Sequence, residues 1–169
     1  MKVVLYMAIT VNGFIAKENH ETPWSNEEWE SYSNTVQEFG NIIIGKKTYE
    51  VMKKSNEFSN IKNPFTVVIT NQDNTEKSAN FAFVKTPQKA LDLLKEKGFN
   101  KALVAGGGII NSLFLQQNLI NEVYLDIEPI IFGKGITLFK ECDFEAKLEL
   151  ISTKQLSNNT IQLHYRVFN

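Results

Sequence analysis

Cysteine and histidine are scarce in this chain. Cys142 is the only cysteine and His20 and His164 are the only histidines, which leaves no disulfide, no zinc-type cluster and no Cys/His nucleophile pair. Any chemistry has to come from a carboxylate or a bound cofactor, and no metal is expected. Charge of one sign is lacking as well. Eighteen basic residues stand against 19 acidic ones, for a net charge of −1, and neither sign forms a strong block, so no nucleic acid and no membrane surface is an evident partner. The expected partner is a small molecule. Long hydrophobic runs are missing too. Val3 to Ile9 is too short to span a bilayer and leads into Asn12-Gly13 rather than a small-residue cleavage site, so the expected location is the cytoplasm. There is no internal repeat or low-complexity tract, and 169 residues with 43% hydrophobic content suit one ordinary domain over residues 1–169.

What is present is a recurring alternation of short apolar runs and glycine turns. Val3 to Ile9 reads as a buried first strand entering a loop that lasts to Pro23. Ser25 stands three residues before Glu28, a capping box that opens a helix over about Asn26 to Gln37, with Trp29, Tyr32, Ser33 and Val36 on its apolar-leaning face. Asn41 to Ile44 is a short buried strand, Gly45-Lys46-Lys47-Thr48 a glycine turn, and Thr48 to Met52 the start of a helix. Phe65 to Thr70 and Phe81 to Val84 are further strands. Thr86-Pro87 with Leu91, Leu94 and Gly98 marks a capped helix. Glu122 to Ile130 is a β-branched strand, and Leu148 to Leu156 and Thr160 to Phe168 form a hairpin. Its second arm turns Ile161, Leu163, Tyr165 and Val167 to one side and leaves His164 on the solvated face. The order predicts a three-layer α/β/α fold whose mostly parallel central sheet ends in an antiparallel C-terminal hairpin.

The stretch KALVAGGGIINSLF, Lys101 to Phe114, is strand, glycine turn and helix. Glycines there permit a sharp turn and a close backbone approach, and the N–H groups of the helix start attract an anion such as a pyrophosphate. It is neither the dinucleotide fingerprint, whose third glycine is here Asn111, nor a P-loop. Gly45 to Thr48 and Gly106 to Gly108 both fall at carboxyl ends of strands, where open parallel sheets bind ligands, and two anion-friendly turns on one edge suggest a dinucleotide. Lys46 and Lys47 offer charge, Thr48 a hydroxyl, and Thr70-Asn71 two more hydrogen-bonding side chains.

These residues carry a resemblance. MAITVNGFIA (Met7 to Ala16), IIIGKKTYEVM (Ile42 to Met52), VAGGGIINSLF (Val104 to Phe114) and INEVYLDIEPIIFGKGITLF (Ile120 to Phe139) resemble, in order, segments of the dihydrofolate reductase superfamily. The likeness is closer to single-domain bacterial proteins related to the reductase domain of riboflavin biosynthesis. It implies a dihydrofolate-reductase-like fold and NADPH as cofactor. Ala8 and Ile15 would lie near the nicotinamide. Thr48 with Gly45, Gly106, Gly107 and Gly108 would hold the pyrophosphate, Lys47 and Ile109 would be further cofactor-binding residues, Lys46 would lie at the 2′-phosphate, and Thr70 and Asn71 would be the polar pair after the third strand. It also implies a cis peptide between Gly106 and Gly107, and a homodimer.

In dihydrofolate reductases a carboxylate at the start of the first long helix binds the pterin and assists protonation, with an aromatic residue four positions later. Glu28 with Tyr32 reproduces that spacing; Glu27 is a rival, and a role for Glu28 as capping-box partner stays open beside the catalytic one. Phe14, Trp24 and Tyr32 suggest a flat aromatic substrate in an apolar slot. The loop Asn12-Gly13-Phe14 and the segment Glu21-Thr22-Pro23-Trp24 depart from the riboflavin reductases where those bind ribose phosphate. The expected activity is NADPH-dependent reduction of a pteridine-like or aminopyrimidine substrate, such as a 5-amino-6-(5-phosphoribosylamino)uracil. The alternatives are a true dihydrofolate reductase and, in another class, a nucleotide-binding module without turnover.

Overall fold

The computed structural model of the chain describes residues 1–72 and 78–168. Its elements run β1 (Lys2–Thr10), β2 (Phe14–Ala16), α1 (Asn26–Phe39), β3 (Asn41–Gly45), α2 (Lys46–Lys54), α3 (Glu57–Asn60), β4 (Phe65–Ile69), β5 (Phe81–Val84), α4 (Pro87–Glu96), β6 (Lys101–Val104), α5 (Gly108–Gln116), β7 (Glu122–Glu128), β8 (Ile136–Thr137), β9 (Lys147–Gln155) and β10 (Ile161–Phe168). Eight strands form one sheet in the order β5-β4-β3-β6-β1-β7-β10-β9. The first six are mutually parallel, and β10 runs antiparallel to both β7 and β9.

The apolar runs are unbroken because helices cover both faces of the parallel part, so successive side chains, which point to opposite faces, are all buried. Val3 and Leu5 of β1 pack with Ile43, Val67, Leu94 and Phe114 beneath α4 and α5. Val4 and Tyr6, one residue out of phase, pack with Ile42, Ile44, Val36, Tyr49 and Met52 beneath α1 and α2. Helix starts follow their caps: the Ser25 hydroxyl accepts from the Glu28 N–H, and the Thr86 hydroxyl from Lys89 N–H, with Pro87 in the first turn.

Four details differ from the sequence expectation. β2 and β8, a small two-stranded sheet, lie within stretches that read as loop. α3 is a single turn, too short to give a helical period. In the hairpin the alternation is broken: Ile161 is 39% exposed while Gln162 is buried, because Gln162 reaches a polar network under α1. His164 is not on a solvated face. Its ring stacks on Tyr124 with centroids 4.0 Å apart, and Nε2 lies 2.8 Å from Glu122. A neighbour across the strand pair decides its environment, which alternation within one strand does not record.

The peptide between Gly106 and Gly107 is cis. The glycine that packing requires is Gly108. A Cβ there would lie 2.6 Å from the Thr137 carbonyl oxygen, a backbone atom of β8, whereas at Gly107 it would meet nothing nearer than Thr48 Oγ1 at 3.5 Å. Asn111, one turn on, is fully buried and donates to the Leu138 carbonyl at 2.8 Å, so it belongs to the same junction between α5 and β8. We therefore expect Gly108→Ala to cost about 1 to 3 kcal/mol through forced backbone movement, read as a lowered urea midpoint, while Gly107→Ala stays within about 1 kcal/mol of wild type.

Candidate functional site

The carboxyl ends of β1, β3 and β6 open onto one cavity of about 580 Å³, the size expected for a site that holds a small ligand. Ala8, Ile15, Trp24, Glu28, Tyr32, Gly45, Lys46, Lys47, Thr48, Gly107, Gly108 and Ile109 all line it. Phe14, Thr70, Asn71 and Gly106 do not. Phe14 turns toward Gly135 and Phe132, the Thr70 hydroxyl accepts from the Gln72 N–H, Asn71 is exposed, and Gly106 sits behind the wall against Met7. Of the rival carboxylates, Glu27 is exposed and Glu28 is buried at the wall.

One end of the cavity is built from helix starts. Gly45 is the N-cap residue of α2 and Gly107 that of α5, so neither helix has a side-chain cap, in contrast to α1 and α4. Their first-turn N–H groups and positive dipole ends therefore remain available to an anion. The two turns are tied by a hydrogen bond from Gly45 N–H to the Gly106 carbonyl at 2.9 Å. A Cβ on Gly107 would point between Thr48 Oγ1 and Ile15 Cδ1, into the space the cavity leaves. Lys46 is held loosely, its Nζ 3.9 Å from Glu50 and 5.2 and 5.4 Å from the rings of Tyr49 and Phe83. This end fits a pyrophosphate-bearing cofactor.

The other end is aromatic and acidic. Trp24, Trp29 and Tyr32 line it. Trp24 stacks on Phe132, and Tyr32 leans on Tyr6 and Trp29 with centroids 5.5 and 5.8 Å away. Glu28 is only 2% exposed. The capping box forms by half: Ser25 Oγ caps the Glu28 N–H at 3.2 Å, but the carboxylate that accepts from Ser25 N–H, at 3.1 Å, is Glu128. Ser25 Oγ also donates to Glu128 at 2.8 Å. The Glu28 side chain is thereby released from the cap, and its Oε2 has no hydrogen-bond partner.

Burial, with the negative charges of Asp126 and Glu128 behind it, pushes the Glu28 carboxyl up to about 8. Asp126 is fully buried on β7 and accepts from Tyr6 Oη and, at 2.8 Å, from Gln162 Nε2. Burial lifts it above the ordinary aspartate value while those donors oppose the rise. Sequence reasoning missed Asp126 and Glu128, and Trp29 and Lys140 as lining residues. Tyr124, Asp126 and Glu128 alternate along β7, a pattern that in sequence is the same as a solvated strand face. Among the described residues, no group of His, Cys, Asp and Glu is arranged to hold a metal ion, and no helix is long and apolar enough to cross a membrane.

A carboxyl raised in the folded state makes folding bind a proton. From 4.5, the ordinary value, up to about 8, the unfolded chain loses that proton while the fold keeps it. This contribution to stability is full at low pH and is lost as pH rises through that window, by at most about 1.4 kcal/mol per pH unit. Glu28→Gln should remove the slope, so the variant gains on wild type between pH 5 and 8 in denaturant titrations. Parallel curves for the two proteins would mean that Glu28 titrates normally.

The RibD C-terminal domain family matches residues 1–162 of the chain. The uncharacterized protein YwjB of Bacillus subtilis is 32% identical over 170 residues, covering 97% of each chain. A putative riboflavin biosynthesis protein from Shewanella sp. PV-4 superposes with a TM-score of 0.83 over the whole of both chains at 20% identity. The diaminohydroxyphosphoribosylaminopyrimidine deaminase/5-amino-6-(5-phosphoribosylamino)uracil reductase of Thermotoga maritima superposes at 0.76 with 18% identity, over 99% of this chain and 56% of that one. The match over nearly the whole length, on a dihydrofolate-reductase-like sheet with both glycine turns at one cavity, places this chain in the RibD C-terminal domain family.

Proposed function

We propose that this protein is an NADPH-dependent reductase that delivers hydride to a C=N bond, or an opened sugar imine, of a pteridine-like or aminopyrimidine heterocycle. The observation that carries the reading is the continuity of the cavity: uncapped helix starts and lysines at one end meet an aromatic wall at the other, where the buried Glu28 carboxyl has no hydrogen-bond partner at Oε2. The family, and the reductase named in the Thermotoga maritima protein, support the reaction class.

Hydride is what the nicotinamide cofactor supplies when bound. The chain's own residues bind and orient. In this reading the first-turn N–H groups of α2 and α5, with Thr48, take the pyrophosphate, and Lys46 takes the 2′-phosphate. Ala8 and Ile15 keep water from the nicotinamide. Trp24, Trp29 and Tyr32 would hold a flat ring, and Glu28 would hold at its carboxyl the proton that reduction of that ring requires. Thr70 and Asn71 lie outside the cavity lining and have no role in this reading.

Isothermal titration of NADPH and NADH tests the cofactor end. Gly107→Ala should remain folded and lose NADPH affinity, because its methyl fills cavity space rather than clashing with protein. Lys46→Ala should weaken NADPH by roughly ten- to a hundredfold and leave NADH nearly unchanged. Equal losses for both cofactors would overturn the 2′-phosphate role of Lys46. NADPH oxidation over a panel of pterins and aminopyrimidines, dihydrofolate included, tests the substrate end. Binding without oxidation by any of them would favour a nucleotide-binding module instead.

We also propose that the protein is a homodimer. All nine residues of the edge strand β9 are exposed, among them Leu148, Leu150 and Ile151, beside exposed Ile161 and Phe168 of β10, an apolar sheet edge of the kind proteins cover. Light scattering should give twice 19.3 kDa at micromolar concentration; the mass of one chain would end the proposal.

A further inference from the structure

Three buried carboxylates meet under the start of α1, and only Glu28 faces the cavity. Glu128 accepts from Ser25 N–H, from Ser25 Oγ and, at 3.4 Å, from Thr160 Oγ1. Asp126 accepts from Tyr6 Oη and Gln162 Nε2, and Ser31 Oγ joins the same network at 2.9 Å from Tyr6 Oη and 3.2 Å from Gln162. The donors on Asp126 favour the form that has lost its proton. Glu28 Oε2 has none.

We propose that Asp126, with Glu128 beside it, is a positioning residue that confines the cluster's proton to Glu28, at the wall where the substrate would sit. The proposal rests on the reading of Glu28 as the proton donor to the heterocycle. Negative charge beside a buried carboxyl favours its protonated form, and Glu28, whose Oε2 has no donor, has nothing to oppose that. Tyr6 does not compete as an acid: burial and the Asp126 charge raise its hydroxyl, so it stays a donor. Asp126 thus acts from behind, without reaching the cavity, since it is absent from the lining.

The groups around Glu28 come from every packed element. β1 brings Tyr6, α1 itself Tyr32, and β7 Asp126 and Glu128; the charges that act on Glu28 are those of Asp126 and Glu128, Asp126 first. Glu57 of α3 and His20 of the loop after β2 lie farther along the wall, and Lys46, Lys47 and Lys140 line the same cavity. None of these has a hydrogen bond or ion pair to Glu28 among the described residues.

The test is the titration of Glu28 itself. In protein labelled with carbon-13 at glutamate carboxyls, the Glu28 resonance is the one lost in Glu28→Gln, and its midpoint is read in the full chain without cofactor. Asp126→Asn keeps the shape and removes the charge. It should lower the midpoint by about one pH unit or more, and move the basic limb of the pH–kcat profile down by the same amount, without changing NADPH affinity. Glu128→Gln should do the same to a smaller extent, and decides the matter if Asp126→Asn does not fold. An unmoved midpoint in a folded variant overturns the proposal. Full activity in Glu28→Gln would instead overturn the reading of Glu28 as proton donor and leave the titration result standing, so the two failures are distinguishable.

Discussion

The pair of hydrogen bonds between Glu128 and Ser25 is the constraint on which the acidic end of the site depends. It fastens the start of α1 to the carboxyl end of β7, the strand beside β1 in the sheet. A helix start so fixed leaves its first-turn side chains little choice of direction. Because Glu128 satisfies the Ser25 N–H, the residue that a local capping box would have used for that purpose, Glu28, is free to face the cavity. The arrangement has an electrostatic consequence. Asp126 and the capping carboxylate set negative charge behind Glu28, and with burial they raise the proton affinity of the cavity-facing carboxyl.

The opposite end of the cavity follows from sheet topology. β3 and β6 are neighbours and parallel, so the turns that follow them emerge side by side, and the Gly45 to Gly106 hydrogen bond holds them together. Both turns lead into helices whose first N–H groups lack a side-chain cap. The same cavity therefore runs from the positive dipole ends of two helices to a buried acid within one apolar wall. The third glycine of the cradle does something else: Gly108 lets α5 lie against β8, and Asn111 and Ser112 bind the backbone of the same segment.

The sequence by itself determined the alternation of strands and helices, since unbroken apolar runs, capping residues and glycine turns are local signals whose physical meaning does not depend on distant partners. The parallel sheet, the helices on both its faces and the antiparallel C-terminal pair follow from them. Local signals also marked the helix-start end of the cavity, because a glycine turn between strand and helix is recognisable in sequence and leaves the first N–H groups of the helix without a side-chain cap. What only the tertiary structure decided is which residue of a pair faces which neighbour. Glu128, 103 positions along the chain from Ser25, takes the bond to the Ser25 N–H that Glu28 would make in a local capping box. Asp126 and His164 look like solvated strand residues until α1 covers the one and Tyr124 stacks on the other. The physical reason is the same in each case: burial, and with it proton affinity, is set by groups from other elements, and periodicity along one strand or helix carries no record of them.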